Sequence, residues 1–254
     1  MNISHFYDQQ SSKDHYRLID RRNILYPKFP RSLFAFENRF LVVTSEIEKA
    51  IKAINRKVSV LDIGCGDGIY EKLLSQECFE DSNFIGVDFS KKQLSKAKQY
   101  FNKTYCVDLD SQKLPIKNNS IDIVICSEVL EHVFFPEKII SEASRVLKPG
   151  GTLIFSTPNV ASLQTRLSLF FSGFSPMINY KNNKEHIRFY SLIDIRQLFK
   201  EKLIIKKEHG IGSALFDYWN STFRIFFPRF IQIFGDKYFP KLANGFLIIA
   251  TKNE

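Results

Sequence analysis

The stretch Val60-Leu61-Asp62-Ile63-Gly64-Cys65-Gly66-Asp67-Gly68 decides the fold class. Its first four residues have the apolar, β-branched character of a buried strand, and the glycines that follow allow the chain to turn sharply into a helix. A side chain at Gly64 or Gly66 would collide with a ligand that approaches the loop backbone. This order of strand, glycine loop and helix is typical of an α/β domain that binds a nucleotide or a cofactor.

The loop argues against two common kinds of phosphate-binding site. It lacks the Gly-Lys-Ser/Thr ending of a nucleoside-triphosphate loop, so no lysine is placed to hold phosphates. Its third glycine also comes one residue earlier than in the Gly-x-Gly-x-x-Gly loop of dinucleotide enzymes. The carboxylates of Asp62 and Asp67 would repel a pyrophosphate, so the sequence favours a cationic or neutral ligand.

Short β-branched runs alternate with helical stretches on both sides of this loop, which predicts a mostly parallel sheet with helices on both faces. The predicted strands are Val58–Ile63, Phe84–Val87, Thr104–Val107, Ile121–Cys126, Thr152–Ser156, Leu203–Lys207 and Gly245–Thr251. The predicted helices include Tyr70–Gln76, Lys91–Tyr100, Pro136–Leu147 and Leu192–Phe199, with a turn at Lys148–Gly151 and a helix cap at Ser191. We divide the chain into flanking helices at 1–57, a Rossmann-like cofactor-binding core at 58–160, and a helical, aromatic cap with the last two strands at 161–254.

Acidic residues stand at the ends of three successive predicted strands: Asp62, Asp88 and Asp108. The carboxyl ends of parallel strands meet at one edge of the sheet, where open α/β sheets bind their ligands. Asp88 is placed to accept hydrogen bonds from ribose hydroxyls. Asp108 could accept from an adenine amine while Leu109 packs on the base. Taken singly, each aspartate could instead be a helix cap or turn residue.

An ordered set of motifs between about residues 58 and 160 resembles the class I S-adenosylmethionine-dependent methyltransferases, particularly the group that includes the ubiquinone-biosynthesis O-methyltransferases. The motifs are Leu61–Gly68, Gly86–Ser90, Leu114-Pro115 before Ile121-Asp122, Ser127–Val133 and Arg145–Gly151. The resemblance implies a seven-stranded sheet whose last strand is antiparallel, with S-adenosylmethionine as the cofactor.

The resemblance also implies which residues contact the cofactor. Gly64 and Gly66 would border its methionine part, Asp88 its ribose, and Ser127 with Glu128 its sulfonium end. The full set of predicted cofactor contacts is Asp62, Gly64, Cys65, Gly66, Asp88, Phe89, Asp108, Leu109, Ser127 and Glu128.

His132 follows the fourth strand and is the predicted catalytic residue. Methyl transfer from a sulfonium chiefly requires that the protein align the nucleophile and exclude water. If the acceptor is a hydroxyl group, His132 is the best-placed base to take its proton. A capping or packing role is the alternative.

A metal site is a further alternative at the same place, although we assign none. Glu128, Glu131 and His132 would share one face of a helix, and His186 could complete a site for Mg²⁺, Mn²⁺ or Zn²⁺. A similar Glu-x-x-Glu-His arrangement binds a divalent ion in some relatives, including a small-RNA 2′-O-methyltransferase group and some ubiquinone-pathway enzymes. Many other relatives carry these residues without a known metal.

Two aromatic stripes at helical spacing mark the C-terminal third, and we expect them to form a cap over the substrate pocket. The stripes are Leu163, Leu167, Phe170, Phe171 and Phe174, and then Leu215, Trp219, Phe223, Phe226, Phe227, Phe230 and Phe234. Arg224, Arg229, Lys237 and Lys241 are interleaved with the second stripe, which is also the pattern of a helix at a membrane surface. Such a cap would admit a lipid-linked or isoprenoid acceptor. His186 and Arg188 are candidates for contact with it, with a structural turn favoured for Arg188.

Composition bounds the setting and the partners. The four cysteines form no CxxC pair, and neither a secretory signal nor an apolar run long enough to span a bilayer is visible, so we expect a cytoplasmic protein. The formal net charge is +9, and residues 160–254 hold 14 Lys and Arg against seven Asp and Glu. This excess of positive charge would suit an anionic partner or surface. The alternative is a basic face that only contacts solvent.

We therefore predict an S-adenosylmethionine-dependent methyltransferase that acts on an oxygen of a small or lipid-linked acceptor, with peripheral membrane contact as an added partner. The first alternative is a metal-assisted RNA 2′-O-methyltransferase, for which nucleic acid would be the partner. The second is a catalytically silent cofactor-binding or membrane-peripheral protein.

Overall fold

The computed structural model describes residues 34–175, 185–212 and 229–253. These residues form one seven-stranded sheet with the order β3-β2-β1-β4-β5-β7-β6. The strands are β1 Val58–Ile63, β2 Ser82–Asp88, β3 Lys103–Cys106, β4 Ile121–Ser127, β5 Leu147–Pro158, β6 Leu203–Ile211 and β7 Gly245–Lys252. Strand β7 runs antiparallel to both neighbours, and the pairs from β3 to β5 are parallel. The predicted Rossmann-like sheet with an antiparallel last strand is confirmed.

Eight helices are described around the sheet. They are α1 Phe34–Lys52, α2 Ile69–Leu73, α3 Gln76–Glu80, α4 Lys91–Ala97, α5 Pro136–Val146, α6 Leu163–Ser172, α7 Leu192–Phe199 and α8 Arg229–Tyr238. Short 3-10 turns cover Lys98–Tyr100, Leu130–His132 and Pro240–Leu242. The first 33 residues of the predicted N-terminal helices lie outside the described part of the chain.

Alternate residues of β1 point into two separate cores, one on each face of the sheet. Val58 and Val60 belong to the core that contains Val43 and Ile47 of α1. Leu61 belongs to the opposite core, which holds side chains of α5 and α7. Helices therefore cover both faces, as predicted.

The single helix predicted at Tyr70–Gln76 is wrong, because the chain forms two short helices there. Leu74 and Ser75 have extended backbone between α2 and α3. The backbone amide of Ser75 donates to Oε1 of Glu48 on α1, at 2.7 Å. A contact with a distant helix thus satisfies a backbone amide that the continuous helix would have used.

The predicted turn at Lys148–Gly151 lies inside β5 as a bulge. Ile121 of β4 pairs with Leu147, but Ile123 pairs with Thr152, so the register shifts across the turn. Gly150 takes a φ of 73°, which favours glycine. The helix stop is correct to one residue, since α5 ends at Val146, whereas the strand begins five residues earlier than predicted.

The two aromatic stripes of the predicted cap have different outcomes. In the first stripe, Leu167, Phe170 and Phe171 on α6 and Phe174 just after it are exposed, so these four side chains are not packed as expected. The second stripe lies outside the residues whose side chains are described, except for Phe234, which is exposed. Within the described chain, no helix combines the length and apolar character needed to cross a bilayer.

Candidate active site

The site lies where the carboxyl ends of β1 and β4 separate, at the point where the strand order reverses. Open α/β sheets bind ligands in such crevices. Gly64 follows β1 with a φ of 75°. A Cβ atom built on Gly64 would lie 2.4 Å from Cγ2 of Val129, which follows β4. Gly64 therefore lets the two strand ends pack closely.

Asp88 holds the glycine loop in place. Its Oδ2 accepts from the amide of Gly66 at 2.9 Å, and its Oδ1 accepts from the amide of Ser90 at 2.8 Å. A Cβ atom on Gly66 would meet nothing within 4 Å, so the described chain leaves room beside the loop. Asp88, the predicted contact for the ribose, thus lies at a loop with space for a small molecule.

Two carboxyl groups are buried beneath this loop. Asp62 and Glu71 are each 2% exposed. Burial, together with the neighbouring carboxylates of Glu71 and Asp88, raises the pKa of Asp62 well above its ordinary value. Burial also raises the pKa of Glu71, to about 8. Cys65 is buried beside them, and burial raises the pKa of its thiol above its ordinary value.

The residues predicted to face the adenine lie beyond β3, at the same edge. Asp108 is exposed, and its carboxylate accepts from the amide of Asp110 at 3.0 Å and from the hydroxyl of Ser111 at 2.8 Å. These bonds give Asp108 the turn role that the sequence left open. Leu109 and Phe89 are half-buried.

A chain of polar contacts joins four elements at the ends of β4 and β5. The hydroxyl of Tyr70 lies 2.5 Å from Oγ of Ser127, which lies 2.6 Å from Oγ of Ser156. Ser156 donates to Oε1 of Glu128 at 3.0 Å, and Arg39 of α1 forms an ion pair with the other oxygen of Glu128. Because Ser156 gives its proton to Glu128, Ser127 must donate to Ser156, and Tyr70 must donate to Ser127.

The helical face predicted for Glu128, Glu131 and His132 does not form. Glu128 takes a φ of 57°, a left-handed conformation that is uncommon outside glycine, and residues 130–132 make a 3-10 turn. Glu128 is therefore directed to Arg39 and Ser156. Glu131 and His132 lie instead with His186, from a later segment of the chain.

His132 has a defined hydrogen-bond partner. Its Nδ1 lies 3.0 Å from the carbonyl oxygen of Glu185. A carbonyl can only accept, so Nδ1 carries the proton in this contact, and the neutral ring has its lone pair on Nε2. Nε2 lies 4.0 Å from Oε1 of Glu131.

Glu131, His132 and His186 each offer a ligand atom, and these atoms lie within 4.8 Å of one another. Oε2 of Glu131 accepts from Thr157 at 3.1 Å, while its buried Oε1 has no hydrogen-bond partner in another described residue. Burial, with His132 and the guanidinium of Arg39 nearby, lowers the pKa of His186 to about 4. His186 is therefore neutral at pH 7, which a metal ligand requires.

The segment from Glu185 to Arg188 is tied to the turn after β4. The backbone amides of Ile187 and Arg188 both donate to the carbonyl of Glu131, at 2.9 and 3.2 Å. The guanidinium of Arg188 donates to the carbonyls of Val133 and Phe134. Arg188 therefore has the structural role favoured from the sequence, and it holds His186 beside His132.

Sequence reasoning missed Arg39, Tyr70 and Ser156. The predicted residues were chosen because they lie at the carboxyl ends of strands or in the glycine loop. Tyr70 lies in the helix after that loop, and Ser156 lies near the end of a central strand, so the same criterion could have identified both. No local signal pointed to Arg39, because its partner is 89 positions away along the chain.

Comparison with known proteins agrees with this geometry. Residues 61–155 match the model of a methyltransferase domain. The chain is 29% identical over 67% of its length to a malonyl-[acyl-carrier protein] O-methyltransferase of Marinomonas sp., and spans 62% of that protein. It is 30% identical over 48% of its length to a ubiquinone biosynthesis O-methyltransferase of Colwellia psychrerythraea, and spans 52% of that protein. The chain thus spans less than two thirds of either relative.

The fold has a solved counterpart in an S-adenosylmethionine-dependent methyltransferase from Archaeoglobus fulgidus, with a TM-score of 0.57 and 19% identity. The match covers 86% of this chain and 99% of that one. At this identity the likeness shows the fold alone. The family model covers the glycine loop, Asp88 and the end of β4, which border the crevice described above. Residues 61–155 therefore belong to a methyltransferase domain of the S-adenosylmethionine-dependent kind, for which the cofactor is S-adenosylmethionine.

Proposed function

We propose that the chain transfers the methyl group of S-adenosylmethionine to an oxygen atom of a small or lipid-linked acceptor. The observation that carries this proposal is the hydrogen bond that leaves the lone pair of His132 on Nε2. An imidazole in this tautomer, beside the carboxyl end of β4, can accept a hydroxyl proton at Nε2. The two curated relatives described above are named as O-methyltransferases, which also supports an oxygen acceptor.

The cofactor would supply the methyl group and a neutral thioether leaving group. The residues that would hold it are Asp62, Gly64, Cys65, Gly66, Asp88, Phe89, Asp108, Leu109, Ser127 and Glu128. Two features of the loop support this set: the open space beside Gly66 and the carboxylate of Asp88, which accepts from the amide of Gly66. The loop has no lysine to bind a phosphate, which disfavours an anionic ligand and is compatible with a cationic sulfonium.

Cofactor binding is tested by calorimetry with S-adenosylhomocysteine. Asp88→Ala should weaken binding at least tenfold, because it removes both the ribose acceptor and the bond that holds Gly66. Asp110→Ala is the control, since Asp110 lies at the same edge but hydrogen-bonds to the amides of Phe134 and Phe135. Equal affinity in the wild type and Asp88→Ala would refute the ribose role.

The role of His132 is tested with His132→Asn, whose side-chain amide can still donate to Glu185 but offers no basic lone pair. Methyl transfer to a panel of phenols and isoprenyl phenols should fall by about 10²–10⁴ in kcat, with unchanged affinity for S-adenosylhomocysteine. His209→Asn, on β6, is the matched control. Full activity in His132→Asn would leave His132 as a packing residue.

A second candidate is metal-assisted methyl transfer to RNA, which the cluster of Glu131, His132 and His186 favours. Calorimetric titration of the chelated protein with Mn²⁺, Mg²⁺ and Zn²⁺ tests the site directly. His186→Ala should then abolish binding of whichever ion binds. RNA binding with a steep dependence on salt would support an RNA acceptor. Activity that survives chelation would favour His132 as a simple base.

A further inference from the structure

Helix α6 packs against the protein with its polar side and exposes its apolar side. Ser162, Thr165 and Ser168 recur every three residues and are 1%, 2% and 4% exposed. An amphipathic helix of a water-soluble domain normally has the opposite orientation. The inversion is compatible with folding only if the buried hydroxyls are satisfied, because an unpaired buried hydroxyl is costly.

The buried hydroxyls of α6 are satisfied by the helix itself. Oγ of Ser162 accepts from the amide of Thr165 at 3.2 Å and donates to its hydroxyl at 3.1 Å. Oγ of Ser168 donates to the carbonyl of Phe174 at 2.8 Å, just after Gly173 ends the helix with a φ of 62°. The polar side is thus internally paired, and the turn that carries Phe174 is fixed to the helix.

The outward side of α6 is formed by large apolar side chains. Phe170 and Phe171 are 82% and 78% exposed, and their rings contact each other edge to face at 5.1 Å. Leu167, Leu169 and Phe174 are 44%, 47% and 46% exposed. Five large apolar residues in eight consecutive positions form a patch of the kind that marks an interaction surface.

The stretch of sequence that contains this patch carries charge of one sign. From Asn159 to Lys184 the sequence contains Arg166, Lys181 and Lys184 and no aspartate or glutamate. Arg166 is exposed on α6, and its Nε donates to the carbonyl of Ala161. Apolar side chains on a basic, acid-free segment suit a surface that is anionic outside and apolar beneath.

We propose that the exposed side of α6, with Phe174, inserts into the headgroup layer of an anionic lipid bilayer. Phe170 and Phe171 enter the boundary with the acyl chains, and Arg166 remains at the level of the phosphates. A second copy of the chain fits less well, because a two-fold contact would bring the same basic segment against itself. The proposal is independent of the methyl acceptor, since it concerns a surface outside the cofactor crevice.

The test is flotation of the full chain with vesicles of phosphatidylcholine alone, and of phosphatidylcholine with about one third phosphatidylglycerol. The wild type should float with the anionic vesicles, and Phe170→Ser/Phe171→Ser should lose at least tenfold in vesicle affinity. Ile193→Ser on α7 is the matched control, because Ile193 is apolar and 56% exposed. Binding of S-adenosylhomocysteine should be the same in all three proteins.

Three outcomes would overturn the proposal. The first is that the wild type remains with the unbound fraction, or that the double variant floats as well as the wild type. The second is that Phe170→Ser/Phe171→Ser turns a dimer into a monomer in light scattering, which would identify a second copy as the occupant. The third is faster hydrogen exchange within residues 213–228 of the double variant, which would show that the chain's own aromatic segment covers α6.

Discussion

Gly64 and Gly66 share a left-handed backbone, with φ values of 75° and 52°, but they have different surroundings. A Cβ atom on Gly64 would overlap Val129, whereas one on Gly66 would meet nothing within 4 Å. Glycine therefore has two roles in this motif. Gly64 allows two strand ends to pack closely, and Gly66 leaves open space beside the loop. Sequence reasoning placed ligand contact at both.

We expect Gly64→Ala to lower the free energy of unfolding by about 2–5 kcal/mol, from left-handed strain plus overlap with Val129. Gly150→Ala is the control for strain, since Gly150 has a φ of 73° and open space. It should lose about 1–2 kcal/mol. Urea unfolding of both variants measures the difference. Equal losses would mean that Val129 moves aside without cost.

Glu71 gives a prediction with a definite pH dependence. Burial raises its pKa from 4.5 to about 8 in the folded chain, and neither oxygen has a hydrogen-bond partner in another described residue. Above pH 4.5 the unfolded chain releases this proton while the folded chain keeps it, so stability falls as the pH rises toward 8.

Because Gln cannot ionise, Glu71→Gln should be more stable than the wild type at pH 8, by roughly 5 °C in Tm, and equal to it near pH 4. Thermal unfolding across this pH range, followed by circular dichroism, measures the effect. Glu80→Gln on the exposed side of α3 is the control. A wild type that gains stability relative to Glu71→Gln as the pH rises would contradict the assigned protonation.

At the scale of elements, Asp122 joins three parts of the sheet. Its carboxylate accepts from Arg56, from Lys148 in the β5 bulge and from the amide of Ser59 in β1. Burial alone would raise the pKa of Asp122, but these hydrogen bonds together lower it to about 2. Asp122 and Lys148 belong to the motifs that carry the resemblance, but no role was predicted for them. Their ion pair attaches the bulge to the central strands, and we call this set of contacts the clamp.

The stability that this clamp provides is present above the ordinary pKa of 3.8 and is lost as the pH falls toward 2. Asp122→Asn should therefore be less stable than the wild type at pH 7, by about 1–2 kcal/mol because Arg56 and Lys148 are partly in solvent. The difference should disappear near pH 2. Urea unfolding at pH 7, 4 and 2 measures it, with exposed Asp81→Asn as control. A loss that is the same at every pH would indicate packing rather than charge.

Local signals predicted an element well where the residues that define it are neighbours. Ser191 was predicted as the cap of α7, and it forms a capping box with Asp194 three residues later. The breaks at Ser75 and at the start of β5 depend on Glu48 and on pairing with Ile121, which are distant in sequence. Helical composition cannot reveal such contacts, so those boundaries were wrong.

At the scale of the whole molecule, topology explains how much of the candidate site could be predicted. Parallel strands place their carboxyl ends at one edge, so the sequence order of Asp62, Asp88 and Ser127 was enough to bring them together. His186 and Arg39 reach the site from outside the strand order. His186 belongs to the segment that hydrogen-bonds over residues 130–134. Arg39 projects from α1.

The ion pair between Arg39 and Glu128 connects α1 to the site, with side chains that are 16% and 19% exposed. A double-mutant cycle of Arg39→Met and Glu128→Gln should give a coupling energy of about 1–3 kcal/mol, above the value for exposed pairs. Arg39→Met alone should cost more than the pair of substitutions together, because it leaves Glu128 half-buried without its cation. Urea unfolding measures the cycle, and hydrogen exchange in Arg39→Met should quicken along α1. If the two substitutions are additive and α1 exchanges as before, packing of Val43 and Ile47 alone holds this helix over the site.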